Sequence, residues 1–261
     1  MTTKKNINFM KYLSVLFFLS IMGTVCFAQF VDTQESDFGK FNESFGVNLT
    51  SHSIYLQRHS GVTISTWPQT SPVGYNYPTS GGCVVWNKRI YSMGGWSGSL
   101  VSNVSFANIN DDGTLSAWFV TTSLPNGLRL FAAVVYNGRI YITGGDVGTS
   151  TKTVIVSDIN PSDGQLGQWS YATSLPDARY NHSAVVYNGR IYIIGGDGTN
   201  WNQILGADIN PDGGLSSWSV AGTFPYGTSS VQGPNAFVWN GKLYITGGNI
   251  DGSAYSNNVR Y

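Results

Sequence analysis

One pattern occurs four times in the 261-residue chain: VVWNKRIYSMGG at 84–95, VVYNGRIYITGG at 134–145, VVYNGRIYIIGG at 185–196 and FVWNGKLYITGG at 237–248. Its glycine pairs begin at Gly94, Gly144, Gly195 and Gly247, in steps of 50, 51 and 52. Trp67, Trp118, Trp169 and Trp218 step by 51, 51 and 49, and Asn108, Asp158 and Asp208 step by 50. Three landmarks sharing one period define a repeat array. A unit of that size cannot bury its apolar faces alone, so it must stack on its neighbours.

The third unit shows what each repeat contains. Ser183–Tyr187 is a short apolar run ended by Asn188-Gly189, a pair that accepts the positive φ of a type I′ hairpin turn. Arg190–Ile194 follows as a second strand. Gly195-Gly196 closes it where the backbone must turn or pass closely. Gln203–Ile209 reads as a third strand and Pro211-Asp212-Gly213-Gly214 as a tight turn. Leu215–Val220 reads as a fourth strand carrying Trp218, which recurs by unit and is expected in the blade core. Beyond the first 28 residues no window sustains a 3.6-residue apolar period, so helices should be nearly absent.

These features resemble the Kelch repeat: a glycine pair after an apolar strand, an aromatic before it, Arg179 upstream, and a tryptophan 22 to 24 residues downstream. The period of about 50 also fits that family better than the roughly 40–45 of WD40 repeats. The resemblance covers 79–261 well and 46–78 weakly. It implies an all-β chain, a Kelch-type β-propeller of four-stranded blades around a channel. It implies little about function, because the family includes galactose oxidase, sialic acid mutarotases and many binding modules.

Residues 1–28 read as a secretory signal. Lys4, Lys5 and Lys11 precede apolar Leu13–Val25, and Cys26-Phe27-Ala28 places small residues at the −3 and −1 positions. That run is too short for the ~20 residues of a spanning helix, so no membrane insertion is expected after cleavage. The expected location is secreted or at the cell surface. Beyond residue 28, 11 basic residues face 14 acidic ones with no basic stripe, which argues against nucleic acid and anionic membranes as partners. Cys83 is the one cysteine left there, expected as a small buried residue without a disulfide.

The remaining chain divides into a polar leader at 29–45, a partial blade at 46–72, blades at 79–122, 130–173 and 180–222, and an incomplete blade at 234–261. The partial blade could complete the last one in a ring of four. Alternatively, further blades of the same polypeptide could follow. The apolar strand at the C-terminus favours the second reading, since it would otherwise be an unprotected edge.

Strand order separates the two faces of such a disc. The Asn-Gly hairpins and the Asp-Gly turns lie on one face and are nearly identical. The loops between second and third strands, and those between blades, lie on the other face and vary. Recognition is expected on that variable rim. Its candidate binding residues are Trp96, Arg129, Asp146, Arg179, Tyr180, His182, Asp197, Trp201 and Asp251. Arginine beside aromatics suits a sugar, a carboxylate or a peptide loop.

No catalytic motif stands out. Asp208–Gly213 resembles half a calcium loop, but position twelve is Ser219 rather than a bidentate acid. A copper site of the galactose oxidase kind would need two His, two Tyr and a Cys cross-linked to one Tyr. The chain beyond residue 28 has only His52, His59, His182 and Cys83 to offer, with His52 and His59 expected in outer strands. Neither cofactor nor metal is expected. The leading expectation is a binding module for a glycan or a protein. A carbohydrate-active enzyme is the alternative, such as a sialic acid mutarotase using Arg179 for a carboxylate and His182 or Asp197 for proton transfer. A third is an adhesive repeat region in a longer surface protein.

Overall fold

The structure is a computed structural model that describes residues 19–21, 24–26, 80–198, 202–224, 231–250, 254–255 and 259–260. The expected partial blade, the polar leader, His52 and His59 lie outside these. So does most of the expected signal, apart from an antiparallel pair between Leu19–Ile21 and Thr24–Cys26. Among the described residues every regular element is a strand.

The first blade runs outward through Gly82–Trp86, Arg89–Met93, Val104–Asn108 and Phe119–Val120. The second runs through Ala132–Tyr136, Arg139–Thr143, Val154–Asp158 and Ser170–Tyr171. The third runs through Ser183–Tyr187, Arg190–Ile194, Gln203–Asp208 and Ser219–Thr223. A fourth sheet contains Asn235–Trp239, Lys242–Thr246 and Val259–Arg260. All pairings are antiparallel, and every first hairpin closes on the expected two-residue turn, with Asn87, Asn137, Asn188 and Asn240 at positive φ.

The core lies in the seams between blades. One buried cluster joins Tyr91, Met93 and Phe106 of the first blade to Val135, Ile140 and Ile155 of the second. The next joins Val134 and Tyr141 to Ile191, Ile193 and Leu205 of the third. Trp169 and Trp218 pack against these core clusters, as expected, on the side facing the preceding blade. Each precedes the outer strand, and each indole N–H donates to a carbonyl of the preceding blade, Thr122 at 3.2 Å and Thr173 at 2.9 Å. The expected fourth strand is displaced accordingly: Leu215 forms only a bridge with Ile209, and the outer strand starts at Ser219. The outer strands leave Phe119, Val120, Tyr171 and Val220 exposed.

Backbone amides stitch successive blades together near the first strands. The second glycine of each of the first three pairs donates to the next blade's lead-in segment: Gly95 to Leu128 at 2.7 Å, Gly145 to Arg179 at 2.8 Å, and Gly196 to Val231 at 2.8 Å. Two residues further along, an inner ladder repeats from blade to blade. Leu130 donates to Ser80, Asn181 to Leu130 and Gly233 to Asn181, at 2.8, 2.7 and 2.8 Å. All four ladder residues are left-handed, with φ between 55° and 61°. The glycine pairs allow this approach. A Cβ on Gly94 would stand 2.5 Å from the Leu128 oxygen, and one on Gly144 would overlap the Arg179 oxygen.

Cys83 is buried as expected, but it is disulfide-bonded, not the free thiol expected from the sequence.

The seam predicts a graded response to added methyl groups. Gly144→Ala adds a clash to a positive φ and should cost about 3 kcal/mol or more. Gly98→Ala, at φ 84° with nothing within 4 Å, should cost only the conformational part, about 1 kcal/mol. Urea unfolding of the two variants measures the difference; equal losses would mean that the close approach is not what selects glycine.

Candidate functional site

The turns divide between faces as strand order requires. On the turn face, Ile159 donates to the Gly138 carbonyl and Ile209 to that of Gly189, joining each Asp-Gly turn to its blade's Asn-Gly hairpin. On the opposite face, the first hairpin of each blade continues past the glycine pair. Arg129 and Asp146 exchange backbone hydrogen bonds at 3.1 and 2.8 Å, Tyr180 pairs with Asp197, and Gln232 pairs with Asn249. The second, third and fourth blades therefore each present two side chains side by side at the rim, on a hydrogen-bonded extension of the first hairpin.

These pairs connect into one arc. The Arg129 guanidinium lies over the Trp96 ring, 4.8 Å from its centroid, and reaches Asp146 Oδ2 at 2.8 Å through both Nε and Nη2. Asp146 Oδ1 accepts from the Gly148 amide at 2.8 Å, so the same carboxylate also caps its own loop. The arc passes on to Tyr180 and Asp197. Burial pushes the Asp197 carboxyl up, while hydrogen bonds from Tyr180 and Gln232 pull it back down. Burial pushes the Tyr180 phenol up as well, reinforced by the Asp197 charge. Trp96 remains 38% exposed. The arc offers a π face, a guanidinium whose charge is balanced by Asp146, and a half-buried carboxylate held by neutral donors.

Five of the nine expected site residues thus meet: Trp96, Arg129, Asp146, Tyr180 and Asp197. Gln232 and Asn249 join them and were missed, because glutamine and asparagine carried no chemical signal. Trp201 and Asp251 lie outside the described residues.

Arg179 and His182 are corrections. Arg179 has no exposed surface; its Nη1 donates to the Gly195 carbonyl at 2.9 Å, and burial holds the guanidinium below its ordinary pKa. It occupies the seam position filled by Leu128 in the blade before and Val231 in the blade after. His182 fills the socket at Gly144, as Phe131 fills that at Gly94 and Pro234 that at Gly195. Its Nε2 lies 2.9 Å from the Thr143 hydroxyl, and Nδ1 has no hydrogen-bond partner. Burial and the nearby Arg179 push the ring down to about 3. Both side chains support the rim from below, and neither has a surface to offer a carboxylate or a substrate proton.

Residues 80–261 match a family model described as the KLHDC2/KLHL20/DRC7 Kelch-repeats domain. The chain belongs to the Kelch-repeat family. Curated Kelch relatives include the Kelch domain-containing protein SSO1033 of Saccharolobus solfataricus, 37% identical over 79 residues. Another is the F-box/kelch-repeat protein At1g67480 of Arabidopsis thaliana, 30% identical over 95 residues. The matches take in 30% and 35% of this chain but only 10% and 23% of those proteins' own lengths. Among solved structures, YjhT superposes with a TM-score of 0.55 at 17% identity, covering 74% of this chain and 63% of that one. Its likeness carries the Kelch propeller fold.

The buried imidazole should make the Kelch domain acid-sensitive. The folded value near 3 lies below the ordinary 6.5, so the ring folds neutral. The stability it contributes is complete above about pH 6.5 and is lost as pH falls towards 3. His182→Phe copies the Phe131 arrangement and removes this titration. The melting-temperature drop between pH 7 and pH 4.5 should shrink by roughly 5 °C in the variant. An unchanged drop would mean that the ring accepts its proton without opening the seam.

Proposed function

We propose that this Kelch domain is a secreted or cell-surface binding module whose variable rim recognises a protein or a glycan. The observation that carries the reading is the arc from Trp96 to Gln232. It lies across the rims of four successive sheets, on backbone fixed by paired strands, and its residues vary between equivalent positions, with aspartate at two of the four that follow a glycine pair. Trp96, Asp146, Asp197 and Asn249 all directly follow a glycine pair, and Arg129, Tyr180 and Gln232 stand opposite the last three. The seams explain the conserved-looking parts of each repeat, whereas nothing in the seams requires tryptophan, arginine or tyrosine at these rim positions. A half-exposed indole capped by an ion-paired guanidinium is pre-ordered for contact, which lowers the entropy lost on binding. The secreted location rests on the basic, apolar and small-residue order of residues 1–28.

The test is to screen the full chain on a glycan array and against a displayed library of folded domains, then measure each binder against rim variants. Trp96→Ala and Tyr180→Ala should each weaken binding about tenfold or more. Their melting temperatures should stay close to that of the parent. Binders that tolerate both substitutions would place recognition elsewhere and defeat the proposal.

A further inference from the structure

The turn face contains a cleft of about 770 Å³ over the second blade, within the range of small-ligand sites. Trp86 and Tyr136, the last residues of neighbouring innermost strands, supply its aromatic side. Pro161 and Pro211, from the Asp-Gly turns of the second and third blades, supply the outer part. Between them lie Arg139 and Asp158, joined Nε to Oδ1 at 2.6 Å.

The aromatic positions have a packing role that accounts for part of their character. Trp86 rests on the next blade's hairpin glycine, where a Cβ on Gly138 would lie 3.2 Å from the indole, and Tyr136 covers Gly189 in the same way. Arg139 also belongs to the repeated packing: it lies against Gly213 of the next turn as Arg89 lies against Gly164, and it pairs with Asp158 as Arg190 does with Asp208. Its terminal nitrogens are what differ. Its counterpart in the first blade, Arg89, gives Nη1 and Nη2 to the Pro161 and Ser162 carbonyls of the next turn, at 3.2 and 3.1 Å. The corresponding turn of the third blade is one residue shorter. Asn160 closes its turn on Gln165, whereas Asn210 closes on Gly214. Among the described residues, no turn carbonyl takes the terminal nitrogens of Arg139 as Pro161 and Ser162 take those of Arg89. The shorter turn thus gives the Arg139 guanidinium, which also faces the Tyr141 hydroxyl, fewer backbone acceptors than Arg89 has, at a cleft that also has two aromatic rings and a well-exposed carboxylate.

We propose that this cleft is a second binding site, for a neutral saccharide. Aromatic faces match the C–H faces of a pyranose, Arg139 supplies donors for ring or hydroxyl oxygens, and Asp158 accepts from hydroxyls. Charge selects against an anionic sugar. Arg139 is the one cation of the cleft, Asp158 already neutralises it, and Asp212 adds a negative field at the adjacent Tyr141. The site is on the opposite face from the rim and stands or falls independently of it.

The experiment titrates the full chain with neutral hexose tri- to hexasaccharides, following tryptophan fluorescence and heat. Binding is expected, with a fluorescence change that Trp86→Phe abolishes while retaining an apolar ring against Gly138. Arg139→Gln should weaken binding about tenfold, the scale of a hydrogen bond to a charged group. Trp96→Ala on the rim should leave the fluorescence change that depends on Trp86 and Arg139 in place, with the same midpoint. Three results overturn the proposal: no heat or fluorescence change at millimolar saccharide, binding that Trp96→Ala removes and Arg139→Gln spares, or binding confined to sialylated or sulfated sugars.

Discussion

The contact on which this structure depends is an amide–carbonyl hydrogen bond between neighbouring blades. Gly95, Gly145 and Gly196, each the second glycine of its pair, donate it to the next blade's lead-in segment. A bond of 2.7–2.8 Å between two backbones in a buried seam leaves no room for a side chain on either glycine, and both adopt positive φ. This single requirement fixes Gly94-Gly95, Gly144-Gly145 and Gly195-Gly196. It also sets the distance at which Phe131, His182 and Pro234 plug the resulting sockets. Side chains then extend the seam outward. Tyr91 and Tyr141, their phenols pushed up to about 12 by burial, donate to the Gly164 and Gly213 carbonyls at 2.9 and 3.0 Å. Apolar residues fill the space between these bonds, so the core is shared between blades and none is self-sufficient.

The same requirement separates scaffold from function along the lead-in segment. Moving one residue past the seam carbonyl reverses a side chain's direction, because successive residues of extended backbone point to opposite sides. Leu128, Arg179 and Val231 therefore face inward, and Arg129, Tyr180 and Gln232 face the rim. Residue type alone does not decide the role. Arg179 is a buried brace, while Arg129 is a rim residue stacked on Trp96. The chemistry of the loop face lies in the second set, together with the residues directly after each glycine pair.

Much of this was legible from the repeat. The four pattern copies, the Asn-Gly hairpins and the glycine pairs place the first two strands of each blade correctly, as the third blade shows at Ser183–Tyr187 and Arg190–Ile194. The separation of turn face and loop face followed from strand alternation. The register of the lead-in segment did not, because an arginine attracts attention wherever it stands. Aligning Leu124-Pro125 with Leu175-Pro176 would have set Arg129 opposite Tyr180 and Arg179 opposite Leu128. Recurrence placed Trp169 and Trp218 in the core correctly but did not say which neighbouring blade each indole bonds to. The turn-face cleft was invisible because those turns look alike in sequence, and a one-residue difference matters only once Arg89 and Arg139 can be compared in space.

Amide hydrogen exchange at Gly95, Gly145 and Gly196 tests the central contact most directly. If these bonds hold the blades together, all three amides should exchange only when the seams open. Their protection should match that of the inner-strand amides beside them, such as Val134 and Val185. Exchange of the three glycine amides at rates close to those of the open loop at Gly98, with the inner strands still protected, would contradict the account.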